Sequence, residues 1–167
     1  MTGPAIRDAT EDDLEQITAI YNDVILTSDA IWLDEVIDLE DRRAWFRGLR
    51  DDDVVLVADD GHGTVLGYTA CFEFRTKSGY WPTVELTILL HRDHRGTGLG
   101  EQLLGALIER ARAAGRHVMI AGIDGSNTGS MRFHERLGFR EVARMPGVGR
   151  KFGRPVDLVL LQLDLDA

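Results

Sequence analysis

Leu90-His91-Arg92-Asp93-His94-Arg95-Gly96-Thr97-Gly98-Leu99-Gly100 joins an aliphatic run, Val84 to Leu90, to a segment in which Leu99, Leu103, Leu104, Leu107, Ile108 and Ala111 recur at helical spacing. The stretch therefore reads as a strand, a glycine-rich loop and the first turn of a long helix ending near Gly115. Glycines at alternate positions let the backbone approach a ligand closely and aim several amides at one point. The helix itself adds free N–H groups and the positive end of its dipole. Arg92 and Arg95 add charge. Together these features describe a cradle for a pyrophosphate.

Two nucleotide-binding alternatives fail on spacing. A P-loop needs a Lys-Ser/Thr pair after its last glycine, and Glu101 stands there instead. A dinucleotide fingerprint needs GxGxxG directly after its strand. Here five residues intervene, and the third glycine position holds Glu101 or Leu103, depending on register. Asp124, at the end of a later apolar run, is where such a site would place a ribose-binding acid. Without the fingerprint that role lapses.

Outward from the loop, apolar periodicity predicts alternating elements. Ala5 to Ala9 reads as a strand, and Thr10 with Asp13 as a helix start near a capping box. Leu14, Ile17, Ile20, Tyr21 and Val24 then mark a helix, with a second from about Leu39 to Leu49. Val54 to Ala58 and Val65 to Phe74 form a hairpin about Asp59 to Thr64. After the long helix come a strand at His117 to Ile123, a helix at Ser126 to Leu137 closed by Gly138, and strands at Arg140 to Val148 and Val156 to Leu165. The order β-α-α-β-β-β-α-β-α-β-β is that of a mixed α/β sheet. No composition shift marks a linker, so residues 1–167 are expected to form a single domain.

Composition narrows the function classes. Nineteen Lys and Arg against 28 Asp and Glu give a net charge of −9, which disfavours nucleic acid as a partner. Arg92, Arg95, Arg110, Arg112 and Arg116 cluster together and a second group runs from Arg132 to Arg154, so the middle of the chain is the expected seat of an anionic ligand. No apolar run reaches the ~18 residues of a membrane span, and Met1-Thr2-Gly3-Pro4 has no signal-peptide pattern. With the lone Cys71 in an alternating apolar run, a reducing, cytoplasmic setting is expected. His91 and His94 flank Asp93 without a further ligand cluster, so no metal is expected.

The sequence resembles the GNAT superfamily of N-acetyltransferases. Arg95-Gly96-Thr97-Gly98-Leu99-Gly100 matches in full its acetyl-coenzyme A signature of Arg or Gln, two residues, Gly, one residue, then Gly or Ala. Asn127, Met131 to His134 and Leu137-Gly138-Phe139 resemble its second block. Matches over nearly the whole chain narrow the resemblance to the phosphinothricin and methionine sulfoximine acetyltransferase branch. Among them are Ile6 to Ala9, Ile20 to Asp23, Ala30-Ile31-Trp32, Thr83-Val84-Glu85 and Lys151 to Arg154. The fold so implied is a mostly antiparallel sheet of about seven strands flanked by four helices. The activity implied is acetyl transfer from acetyl-CoA to the amine of a small amino acid or analogue, by a homodimer. Where the branch carries His and Tyr on its central strand, this chain has Leu86 and Leu89, and Pro155 replaces a C-terminal Trp. An apolar acceptor side chain is expected to suit those leucines.

The resemblance also assigns residues. Cofactor contacts are expected from Ile88, Leu89 and Leu90, from Arg95, Gly96, Thr97, Gly98, Leu99, Gly100 and Glu101, and from Asn127, which as a bare residue type is equally a helix cap. Glu85 sits on a half-buried strand just before the cradle, where an unpaired carboxylate is costly, and is the candidate general base. His134 occupies a position from which many members protonate the thiolate, and imidazolium is a competent acid. Arg75, Thr76 and Lys77, with Glu85, Leu86, Thr87 and Trp32, are the expected acceptor contacts, the basic pair holding a carboxylate. Tyr21, Phe74, Tyr80 and Trp81 are further aromatic candidates for that pocket. Two other readings stand beside this one. One is acetylation of a polyamine or protein N-terminus; the other is an acyl-CoA-binding module that has lost catalysis.

Overall fold

The computed structural model describes residues 3–167. Seven strands, β1 (Ala5–Asp8), β2 (Val54–Asp59), β3 (Val65–Glu73), β4 (Thr83–Leu90), β5 (Val118–Asp124), β6 (Arg140–Lys151) and β7 (Arg154–Asp164), form one sheet in the order β1-β2-β3-β4-β5-β7-β6. Every neighbouring pair is antiparallel except β4 and β5. Four helices cover it: α1 (Leu14–Thr27), α2 (Leu39–Arg47), α3 (Leu99–Ala113) and α4 (Thr128–Arg136). The element order is the expected one, with boundaries shifted by a few residues. α4 starts two residues later than its pattern suggested because Asn127, not an earlier residue, caps it by accepting a hydrogen bond from Ser130 N–H.

Period-two alternation sorts the strands' side chains onto two cores. Val54, Leu56 and Ala58 join Leu103, Leu104 and Leu107 of α3 on one face, while Val55 and Val57 meet Leu14, Ile17 and Ile20 of α1 on the other. On β4 the same alternation sends Val84 and Leu86 under α3 and Leu89 toward α1. The replacements at Leu86 and Leu89 therefore lie on opposite faces. Leu86 is core, 7% exposed.

The feature that builds the site is the parallel pair. β4 and β5 are in register only over Thr83–Leu86 and Val118–Ala121. Beyond that point β4 stays with β3 as far as Leu90, and β5 stays with β7 as far as Asp124, so the two strands part. The main-chain polarity of β4 follows from its ends. Phe74 N–H donates to Thr83 C=O and His91 N–H to Leu66 C=O, so odd-numbered residues face β3. Ile88 and Leu90 turn their N–H and C=O groups into the gap.

Candidate active site

Two connected cavities occupy that gap. A groove of about 670 Å³ runs from the glycine loop to α4. A smaller cavity of about 210 Å³ lies deeper between the strand ends. Ala30, Ile88, Leu89, Asn127, Ser130 and His134 line both, so the two meet at the α4 face that carries His134.

The groove fits an acyl-coenzyme A. Gly96 and Gly98 have φ of +73° and +84°, a region that favours glycine, and Gly98 is the N-cap of α3. A Cβ at Gly100 would fall 3.3 Å from the Phe133 ring, so glycine there lets α3 and α4 approach closely. Arg95, Gly96, Gly98, Gly100 and Glu101 line the groove, as do Ile88, Leu89, Leu90 and Asn127. Asn127 caps α4, its Oδ1 3.0 Å from Ser130 N, and the residue also lines both cavities. Acetyl-CoA would lay its pyrophosphate on the loop amides at the start of α3 and its pantetheine amides along the free main chain of Ile88 and Leu90.

Other expected contacts are placed differently. Thr97 is exposed and outside the groove lining, its hydroxyl donating to His94 C=O at 2.8 Å, so it shapes the loop. Leu99 is 3% exposed in the core under α3, leaving only its main chain for a ligand. Arg92 and Arg95 both reach Asp23 of α1, Arg95 at 3.7 Å. Of the mid-chain arginines, Arg110 pairs with Asp8, Arg112 with Glu109 and Arg116 with Asp52, so these hold the fold together instead of an anion. The groove instead has Arg136, which faces Glu101 across it at 3.5 Å and carried no sequence signal beyond its charge.

On the acceptor side, Leu86, Thr87 and Leu89 line the small cavity, whereas Glu85 is outside its lining and approaches it only through Gly122, which lines it. A Cβ at Gly122 of β5 would stand 3.3 Å from Glu85 Oε1, so glycine there leaves room for the carboxylate. Burial pushes the Glu85 pKa up, opposed by the positive charge of Arg75. Arg75 itself is exposed at the β3–β4 turn, its guanidinium 4.1 Å above the Phe74 ring. Thr76 and Lys77 are exposed on the same turn, and neither cavity is lined by any of the three.

Trp32 is also placed differently from expectation. Its indole lies against Gly149 of β6 so closely that a Cβ there would overlap the ring, and Ala30 and Ile31 line the cavity instead. Trp32 thus anchors the cavity wall. Gly149→Ala is expected to destabilise the protein by about 1–3 kcal/mol through overpacking, read as a lower denaturant midpoint, and to weaken acceptor binding by displacing that wall.

His134 differs from its expected role as a resting acid. It is 3% exposed and packed edge-on between Phe133 and Phe139, with ring centroids at 5.0 and 5.2 Å. Burial pushes its pKa down, only partly offset by the Ser130 hydrogen bond. Nδ1–H donates to Ser130 C=O at 2.8 Å, which leaves Nε2 as an acceptor, buried and without a partner among the described residues. Any proton His134 delivers to a thiolate must first be received during the same turnover. Among the described residues, no group of three His, Cys, Asp or Glu is placed to hold a metal, and no helix is long and apolar enough to cross a membrane.

Residues 17–139 match the model of the Acetyltransferase (GNAT) family. The chain belongs to the GNAT acetyltransferase family. Within it, the chain is 49% identical over 163 residues to an L-methionine sulfoximine/L-methionine sulfone acetyltransferase of Pseudomonas paraeruginosa, covering 97% of this chain and 95% of that one. It is 42% identical to the L-amino acid N-acyltransferase MnaT of Escherichia coli, covering 97% and 94%. The yncA protein of Salmonella typhimurium, solved with its cofactor acetyl-CoA, superposes with a TM-score of 0.94 at 42% identity over 99% of this chain and 96% of that one. This GNAT chain is accordingly an acetyl-CoA-dependent N-acetyltransferase, and its seven-stranded sheet is the fold the resemblance implied.

Proposed function

We propose that this acetyltransferase transfers the acetyl group of acetyl-CoA to the α-amine of a small amino acid or methionine-like analogue. The observation that carries the reading is the junction of the two cavities at His134. The groove beside the glycine loop suits a long phosphorylated thioester, and the 210 Å³ cavity suits a small acceptor. The names of the two sequence relatives, one acting on methionine analogues and one on L-amino acids, support the acceptor class.

Acetyl-CoA supplies an activated acetyl thioester. The chain's residues do the rest. Glu85 takes the first proton from the acceptor ammonium, directly or through water, a task its raised pKa suits. Ile88 and Leu90 offer main-chain N–H groups to the carbonyl oxygen as negative charge develops there. His134 Nε2 receives the second proton from the acceptor nitrogen and passes it to the departing thiolate. Arg75, with its charge felt at Glu85, is the candidate partner for the acceptor carboxylate.

Leu89 and Ile31 give the small cavity apolar walls. An amino acid with an apolar side chain is therefore expected to be acetylated with higher kcat/KM than phosphinothricin. A polar phosphinate left unpaired there would lose roughly 1–3 kcal/mol per group. Competing the two acceptors, with a polyamine and an N-terminal peptide as further competitors, and resolving products by mass measures the order. Preference for phosphinothricin, the polyamine or the peptide would contradict the acceptor assignment. The resemblance further implies a cytoplasmic homodimer. Val142, Val148 and Phe152, each more than half exposed on or beside the edge strand β6, offer an apolar surface to a second copy. Light scattering reads the particle mass directly.

A further inference from the structure

We propose that the Asp124 carboxylate binds the ammonium group of the acceptor, opposite His134, and so selects for a primary amine in the small cavity. The inference rests on the acetyltransferase reading and adds a residue to it that neither the sequence pattern nor the relatives' names assign.

Asp124 is the last residue of β5, is 4% exposed and lines the 210 Å³ cavity. Its two oxygens have different surroundings. Oδ1 accepts from Ser126 N–H at 2.8 Å and from the Ser126 hydroxyl, closing the turn that leads into α4. Oδ2 is buried and has no hydrogen-bond partner among the described residues. Buried carboxylate oxygens are nearly always paired, because an unpaired one carries its desolvation cost uncompensated. The nearby guanidinium of Arg144 does not meet that need, since it is engaged by Glu141 at 3.1 and 3.0 Å.

The same cavity holds a second unpaired acceptor, His134 Nε2. Nδ1 carries the proton donated to Ser130, so Nε2 presents a lone pair. One anionic and one neutral acceptor, facing one small space, are complementary to a cation with several N–H donors. A primary ammonium supplies three. It reaches Asp124 by an ion-paired hydrogen bond and the neutral His134 ring by an ion–neutral one, with its nitrogen held beside the group that later takes a proton from it. A hydroxy acid of the same shape carries no positive charge and offers Asp124 a single O–H donor in place of three N–H groups, so it gains much less there.

Asp124→Asn tests this cleanly, because Asn keeps an Oδ1 for Ser126 while exchanging the anionic oxygen for an NH₂ donor. The expected result is an acceptor KM raised roughly tenfold or more. Coenzyme A affinity and melting temperature should be unchanged, and inhibition by the deaminated hydroxy-acid analogue should weaken far less than amine binding. Ser126→Ala removes the hydroxyl contact to Oδ1 but leaves Oδ2, and its acceptor KM should stay within about twofold of the parent. A parental acceptor KM in the Asn variant would overturn the proposal. So would an equal loss of hydroxy-acid and amine binding, or a KM rise in Ser126→Ala matching that of the Asn variant, since each would make the role structural. A parent protein that acetylates no amine would overturn the acetyltransferase reading and this inference with it, a result distinct from an active parent and an unaffected variant.

Discussion

Gly98→Asp is expected to abolish coenzyme A binding while the protein stays folded. A Cβ at Gly98 meets nothing within 4 Å, so no clash arises, and the penalty is conformational, since φ is +84°. Asp is among the residues that tolerate that region best, at about 1–2 kcal/mol. It is also a favoured N-cap, and its carboxylate at the start of α3 would satisfy the amides that the pyrophosphate would use. The substitution thus replaces several charge-assisted hydrogen bonds, worth ~1.5–3 kcal/mol each, by occupation and repulsion. Calorimetry should show coenzyme A affinity reduced at least about 100-fold. Gly98→Ala, which brings the strain without the charge, should lose far less. Equal losses in the two variants would indicate that loop shape, not the anion site, governs binding.

Glu85→Gln and His134→Phe are each expected to lower kcat on the order of 10²-fold, the usual contribution of a positioned proton-transfer group, with acetyl-CoA affinity nearly unchanged. Gln keeps the size of Glu85 beside Gly122 but cannot take a proton. Phe fits the apolar seat between Phe133 and Phe139 but has no Nε2. The pH dependence has a definite sign. Both groups act from the deprotonated form, so activity should fall as pH drops. Burial places the Glu85 limb above the ordinary carboxylate range and the His134 limb below the ordinary imidazole value. Each substitution should remove its own limb from the profile. Two variants with parental turnover across the pH range would require attack and thiolate release without these groups.

The parts of the site that local backbone demands created were legible in the sequence. Gly96 and Gly98, with Gly100 close behind, announce a glycine-favoured turn into a helix, and the apolar stripe from Leu99 to Ala111 announces the helix itself. The acceptor cavity was hidden because it arises where β4 and β5 separate, after Leu86 and Ala121, and the end of a pairing has no local signature. Gly122 inside an apolar strand was a usable hint of close approach, here by the Glu85 carboxylate. Asn127, Ser130 and His134 also recur at spacings that put them on one face of α4, which Ser130 alone did not suggest. Asp124 reads from the sequence only as a possible ribose ligand, since nothing in the chain shows that Oδ2 would be left unpaired. Trp32 and the arginines at 110, 112 and 116 carried strong chemical signals, but their partners Gly149, Asp8, Glu109 and Asp52 include three that are distant in sequence. Only Glu109 was near enough to be read.

Whether the junction at His134 carries catalysis as well as binding is settled most directly by thiol release. The purified protein is given acetyl-CoA with and without an apolar L-amino acid, free coenzyme A thiol is followed, and the product is weighed. Amine-dependent thiol release matched one-for-one by N-acetylated amino acid is expected. Saturable coenzyme A binding with neither thiol release nor acetylated product for any amine would contradict catalysis at that junction, and would leave an acyl-CoA-binding module.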